Sequence, residues 1–428
     1  MQSSQFPRAI RPAPTPLGLY FRAGRNDHTA LSQLISSGQR SFFGIVFEAG
    51  RVRRHKELIE LVEKSRLECI LDPCTQPSAT VGGYSKKSHG ELPWGLNRPH
   101  LHGDFQGANQ RRVLTSLAEF IIQHGFTQTL APTHLIHDAK DDWLSIDVEV
   151  AHRLREQLDR VGGKKVGLIY SLSMPYALFR DENAREKIIA TLDGLPAQSI
   201  WLKVDGCGSN SSSAAVRNYV EAVSDFHHLD LPIVGDQVGG LVGLSFLALS
   251  AVGGIAHGVT VGERFNSQHW RHPPTGKAHM LHPRVYFPSL DMYMEPARAK
   301  SLLDATGRLR AHLGCSDQDC CPRGIVDMIE NPSRHFLIQR MKQVSNLSQI
   351  PEQIRSREFL ERYVRPTTDQ VLRLASSTQL DERMQKRFMA HRKRLDALRV
   401  LLGNLVQSKS MKTHSSIPVT RAAREARV

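Results

Sequence analysis

Short apolar runs alternate along this chain with stretches that space their apolar residues at three and four. Residues 18–23, 42–47, 68–71, 127–132, 165–171, 199–205, 232–236 and 254–262 read as strands. Each is a brief apolar run bounded by Gly, Pro, Asp or Ser, the signature of a strand buried on both faces. Between them, residues 30–37, 56–65, 111–124, 147–161, 183–192, 213–226 and 244–251 carry the helical spacing. Strict alternation implies parallel strands with right-handed crossovers. Eight such units close a (β/α)8 barrel of the TIM type. An open doubly wound sheet is the alternative, but no G-x-G-x-x-G follows the first strand.

The pattern also sets expected boundaries: an arm over 1–16, the barrel over 17–300, a Cys/His segment over 301–345, a basic helical region over 346–408 and a disordered tail over 409–428. An irregular insert at 73–104, rich in Gly, Pro, His and Trp, interrupts the barrel after its third strand, where long loops are commonly lids. The loop carrying His269, His272, His279 and His282 is irregularly spaced and proline-broken, so it reads as a polar lid rather than a metal site. Near the end, Leu380, Met384, His391, Leu395, Leu398, Leu402 and Leu405 form an apolar stripe. That stripe is either a docking face or a seam for a protein partner. Arg383, Lys386, Arg387, Arg392, Lys393 and Arg394 lie beside it, a basic outer face expected to bind nucleic-acid phosphates.

Charge changes the picture. The 428 residues carry a formal net charge of +14, which suits a polyanionic partner such as DNA or RNA. No apolar run reaches membrane-spanning length and the N-terminus has no signal-peptide core, so no membrane partner and a cytoplasmic location are expected. The 6 cysteines are too few for a secreted disulfide framework. Three of them, Cys315, Cys320 and Cys321, fall together, with His335 following. Three thiolates and an imidazole suit a closed, structural Zn2+ site.

Barrel chemistry sits where strands end. The polar residues there are Arg22 and Arg25, Glu48 and Arg51, Asp72 and Gln76, His134, Ser171 and Ser173, Lys203 and Asp205, Asp236 and Gln237, and Glu263 and Arg264. Carboxylates facing across the mouth could serve as nucleophile and acid/base. Lys203 could form a Schiff base if desolvated, although an ion pair with Asp205 or Asp236 is the plainer reading. The Gly-rich run from Asp205 to Asn210 could cradle a phosphate.

A barrel followed by three cysteines and a histidine resembles the tRNA-guanine transglycosylases and their DNA-modifying relatives, which exchange a guanine for a 7-deazaguanine. Leu71-Asp72-Pro-Cys-Thr-Gln76 is similar to the family segment whose aspartate is the acid/base, and the resemblance implies that role for Asp72. Gly258–Glu263 resembles another family stretch, Gly-Leu-Ser-Val-Gly-Glu, which lies one or two strands earlier there. The family knuckle is Cys-x-Cys-x-x-Cys with a more distant His, and its nucleophile is an eighth-strand aspartate. Here the nucleophile falls to Asp236 or Glu263. The leading expectation is therefore base exchange or N-glycosidic transfer on a nucleic acid. A small-molecule lyase or hydrolase, and a non-catalytic nucleic-acid-binding component, are the alternatives.

Overall fold

The computed structural model describes residues 16–79, 87–271, 283–409 and 416–419. Most of the expected N-terminal arm, most of the tail, and His272, His279 and His282 lie outside the described residues.

Eight parallel strands close a barrel in chain order: β1 (Gly18–Ala23), β2 (Gly44–Glu48), β3 (Glu68–Asp72), β4 (Gln128–Leu130), β5 (Gly167–Pro175), β6 (Ser199–Asp205), β7 (Ile233–Asp236) and β8 (Gly254–Gly258). β8 returns to β1 with Gly18 opposite Gly254. A Cβ on either glycine would come within 3.2 Å of the other's Cα, so a side chain at either would have to push the closing strands apart by a few tenths of an ångström.

Side-chain alternation builds the interior. Tyr20, Val46, Ile70, Leu130, Ile169, Trp201, Val234 and Ala256, one from each strand, form one buried apolar cluster. Two positions further along, on the same face, stand Arg22, Glu48, Asp72, Ser171, Lys203 and Asp236. The barrel thus changes from apolar to charged within one step of the strand period, toward the end where active sites form.

Seven helices follow the first seven strands: His28–Ser36, Lys56–Lys64, Gly107–Gln123, Asp142–Arg160, Glu182–Leu192, Ser213–Val223 and Gly240–Ala248. The fourth begins five residues before the expected 147, because the Asp141 carboxylate caps it by accepting the Trp143 N–H. No helix of that length directly follows β8 among the described residues. A hairpin comes instead, β9 (Val285–Phe287) with β10 (Met292–Met294), which the apolar pattern did not predict. Helix Pro332–Ser348 then contacts both His28–Ser36 and Gly240–Ala248, so it fills the eighth helical place. The ring of helices is therefore completed from beyond residue 300, where the barrel was expected to end.

Helix Glu382–Lys409 buries Phe388, Leu395, Leu398, Leu401 and Leu402 and lies along helix Arg365–Ala375. Its apolar stripe is thus covered by the chain itself. Part of the segment expected to be a disordered tail also returns. The Ser416 N–H donates to the Ser250 carbonyl at 3.0 Å, and Val419 packs into the apolar layer with Tyr20 and Trp201. The hydrophobic gain from a buried valine explains why this piece is held. Among the described residues, no helix is long and apolar enough to cross a membrane.

Ending the chain at residue 409 should lower the free energy of unfolding by about 2 kcal/mol, the order of one buried valine. It should also open Trp201 to a neutral fluorescence quencher. Denaturant titration of the truncated and full chains checks both.

Candidate functional site

Arg22 organises the barrel mouth. Its Nε and Nη2 donate to the two oxygens of Asp236 at 2.7 and 2.6 Å, and its Nη1 donates to Asp72 Oδ2 at 2.7 Å. One guanidinium from β1 therefore joins carboxylates from β3 and β7. The planar fork of arginine suits this, since it binds one carboxylate in bidentate fashion and still has a free edge. Asp72 Oδ1 accepts the Cys74 N–H at 2.9 Å. Cys74 reaches it by adopting φ 62, a left-handed backbone unusual for a side chain with a Cβ. Gln237 and Thr260, just past β7 and β8, have φ 58 and 59. Such strain gathers where structure is held for function.

Lys203 adds a second cation. Its Nζ lies 3.3 Å from Asp236 Oδ2 and donates to Gln76 Oε1 at 2.7 Å. Gln76 Nε2 donates to Ser171 Oγ at 2.9 Å and to Thr133 Oγ1 at 3.1 Å. Gln76 is therefore saturated and aims Lys203. The rings of Phe265 and Trp270 lie 5.9 Å from the ammonium, so aromatic residues following β8 cover it.

The two carboxylates are not equivalent. The Asp236 side chain is 0% exposed and that of Asp72 is 13%. Burial opposes charge on Asp72, but the Arg22 guanidinium and the Lys203 ammonium outweigh it and hold the carboxyl below its ordinary range. Asp72 therefore rests ionised at the mouth.

Glu263 stands apart from this cluster. Burial opposes its charge, yet Arg340 and His257 hold its carboxyl below the ordinary range. Arg340, from helix Pro332–Ser348, donates to Glu263 Oε1 at 2.7 Å and is fully buried, with Tyr286 and Phe336 under its guanidinium. This geometry gives Glu263 a structural tie between the end of the barrel and the eighth helix.

The remaining strand-end residues divide. Asp205 accepts the N–H and the hydroxyl of Ser267 and so fixes the chain after β8. Its Gly-rich run is not a phosphate cradle. The backbone N–H groups of Gly206, Cys207, Gly208 and Ser209 already donate to Phe265 O, Val204 O, Ser211 Oγ and Glu263 O. Glu48 pairs with Arg51 at 3.2 Å, Arg264 donates to Asn210 at 2.9 Å, Arg25 is exposed and Gln237 is half-buried.

Of the cluster that seats the long insert, only His134 was marked by its place at a strand end. Asp147 Oδ1 meets His134 Nδ1 at 2.8 Å, and His134 Nε2 meets His100 Nδ1 at 3.0 Å. His134 stacks on Trp143 with ring centroids 3.7 Å apart. His100 comes from the insert, so a buried polar chain fastens it to the barrel. Burial drives both histidines down to about 3 and pushes the Asp147 carboxyl up.

Cys315, Cys320, Cys321 and His335 bring one donor atom each within 4.8 Å of one another. The Sγ atoms of Cys320 and Cys321 are 3.7 Å apart and lie 3.3 and 3.4 Å from His335 Nδ1. All three cysteines are free thiols. His335 Nε2 lies 2.9 Å from the Tyr286 carbonyl. That bond places the proton on Nε2 and leaves the Nδ1 lone pair facing the sulfurs, the tautomer a metal ligand needs. The turn that brings the adjacent cysteines together is held by the Cys321 N–H on Asp317 O at 2.7 Å and by Gly324 at φ 60. This donor set can hold a metal ion.

The basic residues expected on the last helix are mostly engaged. Arg394 donates to Ser209 O at 2.9 Å and lies 3.3 Å from Asp291, while Arg387 donates to Tyr293 O at 3.1 Å. Lys386 pairs with Glu382 and Arg392 with Asp396 along the helix, at 2.5 and 3.3 Å. Lys393 is exposed. Two of these five thus dock the helix, and two are paired on its surface.

No protein-family model matches the chain, and neither does any curated protein. Among solved structures, it is similar to an endo-1,4-beta-xylanase, XylE, of Penicillium canescens, at 7% identity and TM-score 0.36, over 56% of this chain and 81% of that one. It is similar to the carboxyl transferase domain of Rhizobium etli pyruvate carboxylase at 10% identity and TM-score 0.37, over 94% of this chain and 63% of that one. A mandelate racemase/muconate lactonizing family protein of Azoarcus sp. EbN1 matches at 13% identity and TM-score 0.30, over 55% of this chain and 47% of that one. Likeness at these scores carries no information about the reaction.

The buried histidines make stability depend on pH. Folded His100 and His134 take up protons only near pH 3, whereas an unfolded histidine does so near 6.5. Below about pH 6.5 the unfolded chain binds more protons, so stability falls as pH drops from there toward 3. Each ring should contribute about 1 to 2 kcal/mol of loss between pH 7 and pH 5. Denaturant midpoints at the two pH values, compared with those of His100→Phe, measure it. The variant should lose less.

Proposed function

We propose that the protein is a barrel enzyme that exchanges a base at an N-glycosidic bond of a nucleic acid, with Asp72 as the group that handles the proton. The observation that carries this reading is Asp72 itself, an ionised carboxylate that still reaches the mouth and shares one guanidinium with a second carboxylate. An ionised carboxylate is ready to act as a base and not yet as an acid. The departing base leaves as its anion and takes a proton from water at the open mouth. Asp72 then takes the proton from the nitrogen of the incoming base and releases it to solvent. Asp236 is the nucleophile of this scheme: it is sealed at rest under Arg22 and Lys203, and it attacks the anomeric carbon once substrate displaces Arg22 and opens that seal. Glu263 has no part in it, because Arg340 ties it to helix Pro332–Ser348, apart from the Arg22 cluster. The basic net charge of +14 is in keeping with a nucleic-acid substrate.

Zinc is the metal we assign to the Cys315, Cys320, Cys321 and His335 set. Four protein donors leave no open position, so its work is structural. It fastens the start of helix Pro332–Ser348, and that helix carries Arg340 to Glu263. Purified protein should contain one zinc per chain. His335→Ala should lose the metal and several kcal/mol of stability, the order expected when a structural metal site is broken. Elemental analysis and denaturant titration test both.

Asp72→Asn should lower the incorporation of labelled guanine or 7-deazaguanine into DNA or tRNA by about 10^2- to 10^4-fold, the range of general acid–base catalysis. Its unfolding midpoint should stay near that of the parent chain. Equal incorporation by the variant would remove Asp72 from the chemistry.

A second reading rests on Lys203, which is 2% exposed beneath Phe265 and Trp270. A lysine under an aromatic lid suits a small carbonyl substrate. Its Nζ is already engaged by Asp236 at 3.3 Å and Gln76 at 2.7 Å, which disfavours Schiff-base formation. Borohydride trapping of a carbonyl compound on Lys203, absent in Lys203→Met, would favour this reading over base exchange.

A further inference from the structure

Helix Pro296–Ala305, β10 and the first turns of helix Glu382–Lys409 enclose a cavity of about 690 Å3. Arg284, Arg298, Arg383 and Arg387 line it. Among the described residues, Glu295 and Asp381 are its acidic lining residues, and both have other work. Glu295 lies 3.7 Å from Arg298, and Asp381 accepts the Met384 N–H at 2.7 Å, capping the last helix. Among the described residues, Arg284 and Arg383 form no ion pair. Burial pulls the Arg387 guanidinium below its ordinary value, and the positive neighbours Arg298, Arg284 and Arg383 pull the same way against Glu295. Four guanidinium groups around one concavity repel each other unless an anion lies among them.

Leu302, Leu380 and Met384 give the same cavity an apolar lining. Its volume falls in the range of small-ligand sites. Guanidinium forks match phosphoryl oxygens in pairs, and the apolar part suits a flat organic group.

We propose that this cavity is a phosphoryl-anion site, built by Arg284, Arg298, Arg383 and Arg387, that takes a nucleotide-sized group. The phosphoryl group belongs either to a free phosphorylated molecule or to a nucleic-acid backbone, whose recognition chemistry is the same. The site is distinct from the barrel mouth and does not depend on the reaction there. It overlaps the expected basic face of the last helix at Arg383 and Arg387 and adds Arg284 and Arg298 from outside that helix. Its residues come from positions 284 to 387, so no local motif marks it.

The test uses the full chain, with inorganic tripolyphosphate and a short single-stranded oligonucleotide as probes in calorimetric titrations. Arg284→Ala with Arg298→Ala is the first variant and Arg383→Ala the second. All three arginines are exposed, so the fold should survive, and thermal unfolding checks that it does. Saturable binding should weaken about tenfold or more in each variant, the scale of a lost charge-assisted hydrogen bond. Tripolyphosphate binding that depends on these arginines, with oligonucleotide binding unchanged, assigns a free phosphorylated ligand. Oligonucleotide binding that depends on them and is displaced by tripolyphosphate assigns the backbone. No saturable binding of either probe, or equal binding by parent and variants, overturns the proposal. Asp72→Asn should bind both probes as the parent does, so failure of base exchange and failure of this site are read separately.

Discussion

The arrangement of the barrel mouth depends on the guanidinium of Arg22. Carboxylates from β3 and β7 converge inside a closed barrel whose next layer down is wholly apolar. Two such charges without a cation between them would repel each other and lack solvation. Arg22 lies between them and spends its three donor nitrogens on three carboxylate oxygens. Lys203 adds a charge on the Asp236 side, and Gln76 fixes Lys203 from the third βα loop. The outcome is asymmetric: Asp236 is sealed and Asp72 is reachable. That asymmetry, rather than the number of carboxylates, gives the site a direction.

A second tie determines whether the ring around the barrel is complete. The chain after β8 does not supply a helix directly. It makes a hairpin and the cysteine turn before helix Pro332–Ser348 reaches the eighth position. Two contacts hold that helix in register. His335 belongs to the thiol cluster and bonds Tyr286 of the hairpin, and Arg340 meets Glu263 at the barrel. The Cys/His cluster is therefore less an appendage than the fastening of the last barrel helix.

Much of this was legible in the sequence. The alternation of apolar runs and helical spacing gives the eight strands, with β1 and β6 at their observed bounds. The strand period then gives Arg22, Asp72, Lys203 and Asp236, because each lies two residues beyond an inward apolar residue. The ion pair of Lys203 with Asp236 was the plainer reading and is the one observed. The roles of Glu263 and Asp205 were not legible, since their partners, Arg340 and Ser267, lie 77 and 62 residues away. A buried arginine between Phe336 and Val344 on an otherwise apolar helix face was the available signal for the first. His100, His134 and Asp147 join an irregular insert to the fourth βα unit, and although His134 stands at a strand end, nothing in their spacing predicts that meeting. Val419 escaped for a different reason: a short segment in a polar tail shows no periodicity.

The central claim is that Asp72 is held ionised by Arg22 at a mouth that receives a purine-like base. Carboxyl-carbon NMR on 13C-aspartate protein, with the Asp72 signal assigned by its loss in Asp72→Asn, reads this directly. The account predicts that Asp72 titrates below the ordinary aspartate range, that Arg22→Gln moves the titration upward, and that adding guanine shifts the signal. An Asp72 that titrates at or above the ordinary value, indifferent to Arg22 and to the base, would contradict it.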